Sequence, residues 1–360
     1  MKYDIVIVGG GPAGLSAAFF SKYYDKKNKQ RILLIERLSK EKYSQYHHMC
    51  GEAVSKALFK EIAPITPVRI IEKINRYVEN VVGKFTMETK IQGYILDRPI
   101  FLKKILSKFI ELGGEYLEGV SVVDINIKNN QTCLTLNDGR KINSDFVIAS
   151  DGVNSIIRRK LNLGEVNKTP VIQYIVSKEP QEHNTLKVYY DEKYAGDYKW
   201  IFPNGNTTKI GFPLRAEIIS QIEAEMSGEK IIRKESRVIG TGGNVPVVYK
   251  NIAFVGDSAG QANPLGKGGI RPAMNAGKIA AMSALSKDLS QYEKWCASSP
   301  FFNKLFLEAY MRFKKMNNNE IITHLSPFKS RVSLFKLLYP KYYKYFRLYY
   351  AYYLENKYGW

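Results

Sequence analysis

The sequence predicts an α/β fold, in which a parallel sheet with flanking helices is interrupted by an inserted antiparallel sheet and followed by a helical region. The β-branched run Tyr3–Val8, the small-residue helix Leu15–Tyr24 and the apolar strand Arg31–Glu36 form a β-α-β unit. Asn204-Gly205, between two alternating segments, indicates a hairpin of the inserted sheet. The apolar run Asn251–Val255 then returns the chain to the first sheet.

Periodicity predicts the elements between these segments. Apolar residues at helical spacing predict helices at Glu52–Ile62, Arg98–Leu112 and Ile270–Leu289. Alternating segments predict strands near Arg69–Val78 and Lys84–Leu96. The order of these elements indicates a nucleotide-binding fold. This fold is interrupted by the inserted sheet and resumes near residue 240.

The composition is that of a globular protein, with 360 residues of which 45% are hydrophobic and 24% charged. This balance excludes disordered and fibrous classes, and the length suits two packed domains. No apolar run reaches the roughly 18–20 residues of a membrane-spanning helix, so we expect a cytoplasmic protein. Cys50, Cys133 and Cys296 lack C-x-x-C spacing and the four histidines form no ligand pattern, so neither a disulfide framework nor a metal site is expected.

The charge is strongly positive, with 54 Lys and Arg against 34 Asp and Glu and a formal net charge of +20. Residues 301–360 contain eleven basic and three acidic residues, and residues 339–353 alternate aromatic and cationic side chains. Such a segment suits an anionic membrane surface or single-stranded nucleic acid. A third interpretation of this segment is a packed helix whose lysines are solvated.

The glycine-rich turn after the first strand carries the first chemical motif. Gly9, Gly11 and Gly14 fit G-x-G-x-x-G between a strand and a helix, where glycines permit a tight turn and a close approach of pyrophosphate. Glu36 ends the second strand 22 residues after Gly14, where an acid accepts hydrogen bonds from an adenosine ribose, and Arg37 follows it. The motif predicts a dinucleotide cofactor but does not separate NAD from FAD.

Two later segments favour FAD. One is an apolar strand that runs into Asp151-Gly152, and the other is Asn251–Val255, which ends in Asp257 and the glycine-rich Pro264–Ile270. A carboxylate at a strand end accepts a hydrogen bond from a ribityl hydroxyl, and the N-terminus of the next helix faces electron-rich flavin atoms.

With these segments in order over residues 1–290, the sequence resembles the glutathione-reductase-type flavoproteins of the p-hydroxybenzoate hydroxylase-like branch. The resemblance implies a Rossmann-type FAD-binding domain, with the pyrophosphate on the first turn, the adenosine ribose on Glu36 and the adenine at the Val122 backbone. It places Arg98 and Asp257 against FAD. The expected cofactor contacts are Gly9, Gly11, Ala13, Gly14, Glu36, Arg37, Cys50, Gly51, Arg98, Val122, Asp151, Gly152, Asp257, Gly266, Gly268, Gly269 and Ile270.

A second resemblance concerns the substrate. Residues 198–203 fit the Y-x-W-x-F-P motif of the geranylgeranyl reductases, flavoenzymes that saturate prenyl chains. Alternation puts the three aromatic rings on one face of a strand, as a wall, although an aromatic core strand has the same pattern. The family motif ends in G-x-G, whereas this chain has Gly211-Phe212-Pro213. The expected substrate contacts are Tyr198, Trp200, Phe202 and Pro203.

Cys50-Gly51-Glu52 matches the C-G-E element that lies beside the flavin in that family. The resemblance makes Cys50 the candidate catalytic residue, as a proton donor or a gate near the alkene. A small cysteine that only packs is the alternative. The family's upstream Arg is missing, and residues 46–49 read Tyr-His-His-Met instead.

These motifs also suggest a division of the chain. We expect residues 1–65, 92–165 and 236–290 to form a discontinuous FAD-binding domain. Residues 66–91 and 166–235 would form the substrate sheet, and residues 291–360 a helical region rich in basic and aromatic side chains.

The resemblance implies an FAD-dependent reductase that saturates geranylgeranyl chains of archaeal-type isoprenoid lipids. No second dinucleotide motif occurs in the sequence, so ferredoxin or reduced nicotinamide would be the external electron donor, and a basic surface suits an acidic ferredoxin. A lipid substrate favours the inner face of an anionic membrane over nucleic acid as the partner of the basic segment. An aromatic monooxygenase or halogenase of the same fold is the alternative, and a flavin-bearing membrane- or RNA-binding protein is the non-enzymatic one.

Overall fold

The computed structural model describes residues 1–243 and 245–360, which form two β-sheets and surrounding helices. The strands are β1 (Lys2–Val8), β2 (Ile32–Glu36), β3 (Ala53–Ser55), β4 (Ile70–Val81), β5 (Phe85–Leu96), β6 (Glu115–Glu118), β7 (Val122–Lys128), β8 (Gln131–Leu136), β9 (Lys141–Ala149), β10 (Lys168–Val176), β11 (Thr185–Tyr190), β12 (Lys199–Asn204), β13 (Thr207–Pro213), β14 (Ile231–Gly240), β15 (Val248–Tyr249) and β16 (Ile252–Phe254). The helices are α1 (Pro12–Tyr24), α2 (Lys40–His47), α3 (Ala57–Glu61), α4 (Arg98–Glu111), α5 (Ile156–Lys160), α6 (Ile219–Met226), α7 (Ile270–Leu285), α8 (Ser290–Ser298), α9 (Lys304–Phe313), α10 (Asn318–Leu325) and α11 (Phe346–Tyr358).

The first sheet has a parallel centre in the order β16-β9-β1-β2-β6, with the β7–β8 hairpin beside β9. Its strands are apolar on both faces because both faces are covered. Ile5 and Ile7 pack toward α1, α4 and α7, whereas Val6 and Val8 pack toward the β7–β8 hairpin and α5. The carboxyl ends of β1, β9 and β16 meet at one edge, so the segments that follow these strands in sequence are brought together there.

The second sheet runs β14-β10-β13-β12-β11-β4-β5-β3. Neighbouring strands pair antiparallel except for β4 and β11, which pair parallel. The predicted hairpin is confirmed, because Ile201 of β12 pairs with Ile210 of β13 across a turn in which Gly205 has a φ of 62°. The α/β prediction with an inserted, largely antiparallel sheet is thereby confirmed.

The junction of the two sheets differs from the sequence prediction. The first half of the predicted helix at residues 52–62 is wrong, because β3 pairs there with β5 and only α3 is helical. Glu52 has a φ of 62°, which lies outside the right-handed helical region. β3 and the whole of β5 belong to the second sheet, although the predicted boundaries assigned residues 53–55 and 92–96 to the first unit. The rest of the domain division stays a prediction.

Small residues bring α1 and α7 into direct contact. A Cβ on Gly277 would collide with the carbonyl of Ala13, and the Ser16 hydroxyl donates to the Met274 carbonyl at 2.6 Å. A Cβ on Gly256 would likewise press on Ala13. The N-termini of α1 and α7 therefore converge beside the loop after β16, at the carboxyl edge of the parallel sheet.

The helices α9, α10 and α11 pack on the second sheet. Phe306, Phe313 and Leu348 of these helices share a core with Val81 of β4 and Met87 of β5. Among the described residues, no helix combines the length and the hydrophobicity that crossing a bilayer requires.

Arg271, at the start of α7, joins the last residues of the chain to α3 and α7. Its guanidinium forms an ion pair with Glu61 at 2.6 Å and donates to the backbone carbonyls of Lys357 at 2.9 Å and Trp360 at 3.3 Å. The Asn275 amide donates to the same Glu61 carboxylate at 2.8 Å. The position of α11 thus depends on one buried cation.

Replacing this cation in R271M should loosen α11 without unfolding the parallel sheet. A hydrogen bond to a charged group contributes about 1.5–3 kcal/mol, so amide hydrogen exchange in residues 346–360 should become about 10-fold faster or more. R140M, which breaks an exposed ion pair with Asp138, is the matched control and should leave that exchange unchanged. Equal amide exchange of residues 346–360 in R271M and the wild type would show that the contacts of Arg271 do not hold α11 in place.

Candidate active site

The two sheets enclose a cleft of about 1740 Å³, its open mouth included, at the carboxyl edge of the parallel sheet. The glycine-rich turn and the loops after β9 and β16 form one side, and β4, β10, β11 and β12 form the other. The predicted cofactor and substrate motifs therefore line one space. The predicted residues on its wall are Gly11, Ala13, Cys50, Gly51, Arg98, Gly152, Tyr198, Trp200, Phe202, Asp257, Gly266, Gly268, Gly269 and Ile270.

The glycines of the first turn have different roles. Gly9, with a φ of 102°, and Gly14 are required by packing, since a Cβ on either would collide with a backbone carbonyl. A Cβ on Gly11 would meet only the His47 ring among the described residues, at 3.8 Å. The space above Gly11 is therefore open to the cleft, and the N-terminus of α1 behind it carries no side-chain cap. This is the arrangement in which backbone N–H groups bind a phosphate.

Glu36 lies under the same turn. Its carboxylate accepts hydrogen bonds from the N–H of Gly10 at 2.6 Å and of Leu38 at 2.8 Å. Burial raises the pKa of Glu36, and these two donors oppose that rise. The carboxylate thus holds the turn in shape and keeps lone pairs for a further donor.

Besides Glu36, three predicted cofactor contacts have side chains off the cleft wall. Val122 begins β7 and is buried in the core of the first sheet, where only its backbone is available to a ligand. Arg37 stacks on the ring of Tyr46 at 5.4 Å. Asp151 accepts a hydrogen bond from the Ser155 hydroxyl at 2.9 Å, at the start of α5. These side chains support local structure, and their contacts with a cofactor stay predictions.

Arg98 and Asp257 supply the charged groups of the cofactor side. The Nε of Arg98 donates to the His47 carbonyl at 2.6 Å, and its Nη2 is buried without an acceptor among the described residues. Burial raises the pKa of Asp257, while the charges of Arg237 and Arg98 lower it. A buried N–H without an acceptor and a carboxyl on the cleft wall are complementary to a ligand that carries both acceptors and donors.

The glycines before α7 are constrained by the C-terminal residues. A Cβ on Gly266 would run into the Glu355 carboxyl, and a Cβ on Gly268 would run into the carbonyl of Gly359. The N-terminus of α7 carries no side-chain cap, and Gly269 lines the cleft just before it. This loop therefore presents backbone to the cleft on one side and to α11 on the other.

Aromatic side chains form the opposite wall. The Tyr198 hydroxyl donates to the Gly266 carbonyl at 2.6 Å, which joins the wall to the cofactor loop. The indole N–H of Trp200 donates to Gln173 at 3.1 Å. A Cβ on Gly211 would collide with the Trp200 ring, so this glycine lets the ring lie across β13. The wall is completed by Phe202 and by the aliphatic residues Ile91, Leu186 and Val188.

Pro203 differs from the other residues of its motif. It is buried and pairs with Thr208 in the sheet, and it lies outside the cleft lining. Pro213 lines the cleft instead, at the place where the family motif has its last glycine. The alternation of β12 explains the difference, since Pro203 points to the face opposite Trp200 and Phe202.

The Cys50-Gly51-Glu52 loop lies between the two walls. The Cys50 thiol lines the cleft and accepts a hydrogen bond from the N–H of Glu52 at 3.3 Å. Gly51 lies against the Phe202 ring, which a Cβ would approach to 3.0 Å. The loop therefore places a protic side chain beside the aromatic wall.

Glu52 forms a buried ion pair with Lys209 of β13, and the two side chains are only 2% and 1% exposed. Glu52 also accepts from the N–H of Arg98 at 3.3 Å and lies 3.5 Å from the His48 ring. Burial raises the pKa of Glu52, but the charge of Lys209 and the hydrogen bond to His48 outweigh it and hold the pKa below its usual range. Sequence reasoning missed Lys209, because a lysine in a strand carries no local sign of a partner 157 residues away.

The last residues of the chain complete the cleft, and no motif indicated them. Glu355, Asn356 and Trp360 line it. The Trp360 ring packs over Gly93 of β5 and joins the apolar group around Phe202. α11 brings these side chains in from above the second sheet, so only the tertiary structure reveals them.

Curated relatives share most of this chain. The digeranylgeranylglycerophospholipid reductase of Methanocaldococcus jannaschii is 30% identical over 312 residues, which cover 77% of this chain and 75% of the relative. The enzyme of the same name from Methanococcus vannielii is 28% identical over 359 residues and 89% of both chains. A scan against protein-family models finds no match.

Solved structures share the fold. A geranylgeranyl bacteriochlorophyll reductase-like protein from Thermoplasma acidophilum superimposes with a TM-score of 0.80 at 17% identity, covering 98% of this chain and 99% of that one. A flavin-dependent brominase superimposes with a TM-score of 0.64 at 15% identity, covering 95% of this chain and 100% of that one. These likenesses confirm the predicted fold class.

Breaking the Glu52–Lys209 pair should destabilise the protein. Removing one member of a buried pair leaves an uncompensated charge, so K209M should lower the free energy of unfolding in urea by about 3–5 kcal/mol. The double variant E52Q/K209M should recover part of this loss, because neither charge is then left alone. K168M, which breaks an exposed pair with Glu165, should cost less than about 1 kcal/mol. A K209M protein as stable as the K168M control would contradict the assignment.

Proposed function

The chain belongs to the digeranylgeranylglycerophospholipid reductase family. We propose that it saturates C=C bonds in the geranylgeranyl chains of isoprenoid lipids, with FAD as its cofactor. The observation that carries the proposal is that one cleft joins a dinucleotide-type turn to an apolar wall of aromatic rings. Relatives that align with 77–89% of the chain are named for this lipid class.

The residues of the cleft fit FAD. The open space above Gly11 and the uncapped N-terminus of α1 suit the pyrophosphate, and Glu36 suits the adenosine ribose. The free N–H of Arg98 and the carboxyl of Asp257 suit the polar groups between the two ends of the cofactor. The N-terminus of α7 suits the electron-rich edge of the ring system. When bound and reduced, FAD supplies the hydride for the alkene.

The aromatic wall would hold the prenyl chain. Trp200 and Phe202 present flat apolar faces, and the hydrogen bonds of Tyr198 and Trp200 fix two of the rings in place. Leu186 and Val188 extend this surface along β11. A chain lying here displaces water from apolar surface, which favours binding and keeps water from the reacting carbons.

Cys50 would contact the chain near the reacting alkene. Its thiol lies on the cleft wall in a loop fixed by the buried Glu52–Lys209 pair, so its position is well defined. We assign it the role of gate or proton donor that the family motif implies.

An external electron donor must reach the oxidised cofactor from outside the chain and reduce it. The net charge of +20 attracts anionic partners at long range, so an acidic ferredoxin suits this surface, and reduced nicotinamide is the alternative donor.

The basic–aromatic segment, residues 329–353, suits the surface of an anionic membrane. It contains six Lys and Arg and no Asp or Glu. Val332, Phe335 and Leu338, which lie in one 3₁₀ segment, are 77%, 70% and 71% exposed. Exposed apolar side chains among cations are the combination that inserts into an interface of anionic headgroups. Docking there would bring the lipid substrate to the protein.

Anaerobic incubation of the chemically reduced holoprotein with a digeranylgeranylglycerophospholipid tests the reaction. Mass spectrometry should show products that are heavier in steps of two hydrogens, and none when the flavin is left oxidised. An unchanged lipid, together with fast reoxidation of the flavin when air is admitted, would overturn the proposal and favour the monooxygenase or halogenase alternative.

Sedimentation with vesicles tests the membrane surface. Burying an exposed apolar side chain contributes about 1.5–3 kcal/mol, so F335S/L338S should bind phosphatidylglycerol vesicles at least about 10-fold more weakly than the wild type. I232S removes an apolar side chain of 57% exposure on β14 and should bind like the wild type. Equal binding of F335S/L338S and I232S, or equal binding of the wild type to uncharged phosphatidylcholine vesicles, would refute this surface.

A further inference from the structure

Two half-buried carboxyl side chains lie at or beside the cleft, and the mechanism so far gives them no role. Glu355 of α11 lines the cleft itself. Glu79 of β4 lies behind it and accepts a hydrogen bond from the Tyr190 hydroxyl at 3.0 Å. Among the described residues, neither carboxylate forms an ion pair with a Lys, Arg or His side chain, in contrast to the paired Glu52.

The Glu355 carboxyl lies where the cofactor side meets the aromatic wall. It contacts Gly266, the residue whose carbonyl accepts the hydrogen bond from Tyr198 at 2.6 Å. Gly266 begins the loop that leads to Gly268 and Gly269, the expected contacts of the flavin edge. An acid at this position faces the space in which a prenyl chain and a flavin would meet.

The surroundings of Glu355 favour its protonated form. Burial, followed by the charge of Glu79, raises the pKa of Glu355 to about 8. Burial raises the pKa of Glu79 to about 7, against the effect of its hydrogen bond from Tyr190. A carboxyl that stays protonated at neutral pH is suited to general acid catalysis.

The other titratable groups around the pair are phenols and one closed ion pair. The phenols belong to Tyr77, Tyr190, Tyr198 and Tyr352. Burial raises the pKa of each of these tyrosines well above its ordinary value, so they remain neutral. Lys267 is paired with Asp197 at 2.7 Å. The groups that face the two carboxyls are Tyr77 on β4, Tyr190 on β11, Tyr198 before β12, Tyr352 on α11 and the Lys267–Asp197 pair.

A small second cavity lies beside the cleft and shares three lining residues with it. It is lined by Tyr77, Tyr190, Tyr352 and Glu355 together with Gly266, and Tyr77, Gly266 and Glu355 also line the cleft. The Tyr352 hydroxyl is buried without a partner among the described residues. Hydroxyl groups around such a cavity offer a path for a proton toward Glu355.

We propose that Glu355 is the catalytic acid of alkene reduction, which leaves Cys50 the role of gate, and that Glu79 and the tyrosines around it return the proton. The proposal rests on the proposed function. In the reaction, one alkene carbon takes the hydride supplied by reduced flavin, and the other forms a C–H bond as the O–H bond of Glu355 breaks. Both electrons of the π bond enter the new C–H bond to the proton. The Glu355 carboxylate then regains a proton from Glu79 through the hydroxyl groups around the second cavity, and Glu79 is reprotonated by water.

The protonation state of Glu355 can be measured without turnover. Infrared difference spectra of the holoprotein, wild type minus E355Q, should contain the carbonyl band of a protonated carboxyl at pH 7. The raised pKa means that this band is present at lower pH and disappears as the pH rises through about 8. A spectrum showing only carboxylate bands at pH 7 would overturn the proposal.

Single-turnover reduction tests the catalytic role. General acids contribute about 10²- to 10⁴-fold, so E355Q should saturate the bound lipid at least about 100-fold more slowly than the wild type. Lipid affinity and the rate of flavin reduction by dithionite should stay within about twofold. E355D, which keeps an acid, should recover part of the rate, and the wild-type rate should fall above about pH 8. E223Q, an exposed substitution on α6, controls for the change of Glu to Gln.

The outcomes separate this proposal from the proposed function. A wild type that leaves the lipid unchanged refutes the function itself. A wild type that reduces the lipid while E355Q keeps pace with E223Q refutes the role of Glu355. If C50A then loses the rate and its pH dependence, the proton comes from the Cys50 thiol instead.

Discussion

The buried ion pair between Glu52 and Lys209 is the interaction on which the arrangement of the cleft depends. Glu52 ends the loop that carries Cys50, and Lys209 lies in the centre of the second sheet. Because both side chains are almost fully removed from water, each needs the other to remain charged. The pair therefore fixes the loop against β13, and the contact of Glu52 with the Arg98 backbone extends the link to α4. Glu52 accepts a left-handed backbone to make these contacts.

A hydrogen-bond network carries the same constraint into the aromatic wall. The Gln173 amide donates to the Cys50 carbonyl at 3.1 Å and to Glu235 at 2.9 Å, and it accepts from the Trp200 indole. Glu235 is itself paired with Arg233 at 2.6 Å. Polar groups buried in this way are costly unless all have partners, so the network allows one position for the Trp200 ring. The apolar wall is thus held in place by polar contacts behind it.

The surface of the protein and the surroundings of the cleft differ in their charged groups. The surface is basic, above all in residues 329–353, which contain six Lys and Arg and no Asp or Glu. Around the cleft, burial raises the pKa of Asp257, Glu79 and Glu355. For Glu79 and Glu355, whose pKa values rise to about 7 and about 8, burial favours the protonated form. α11 links the two regions, because this helix contains the end of the basic–aromatic segment and also carries Glu355.

The sequence alone determined the parts of the protein that depend on short-range geometry. A turn that must bring backbone close to phosphate needs glycines at fixed spacing, so Gly9, Gly11 and Gly14 could be predicted from the sequence. Strand alternation likewise placed Trp200 and Phe202 on one face. The tertiary structure decided the rest. It set β3 in place of a helix start and turned Pro203 away from the cleft. It also brought Lys209, Glu355 and Trp360 to the site, and such residues have no local signature because their roles come from partners far along the chain.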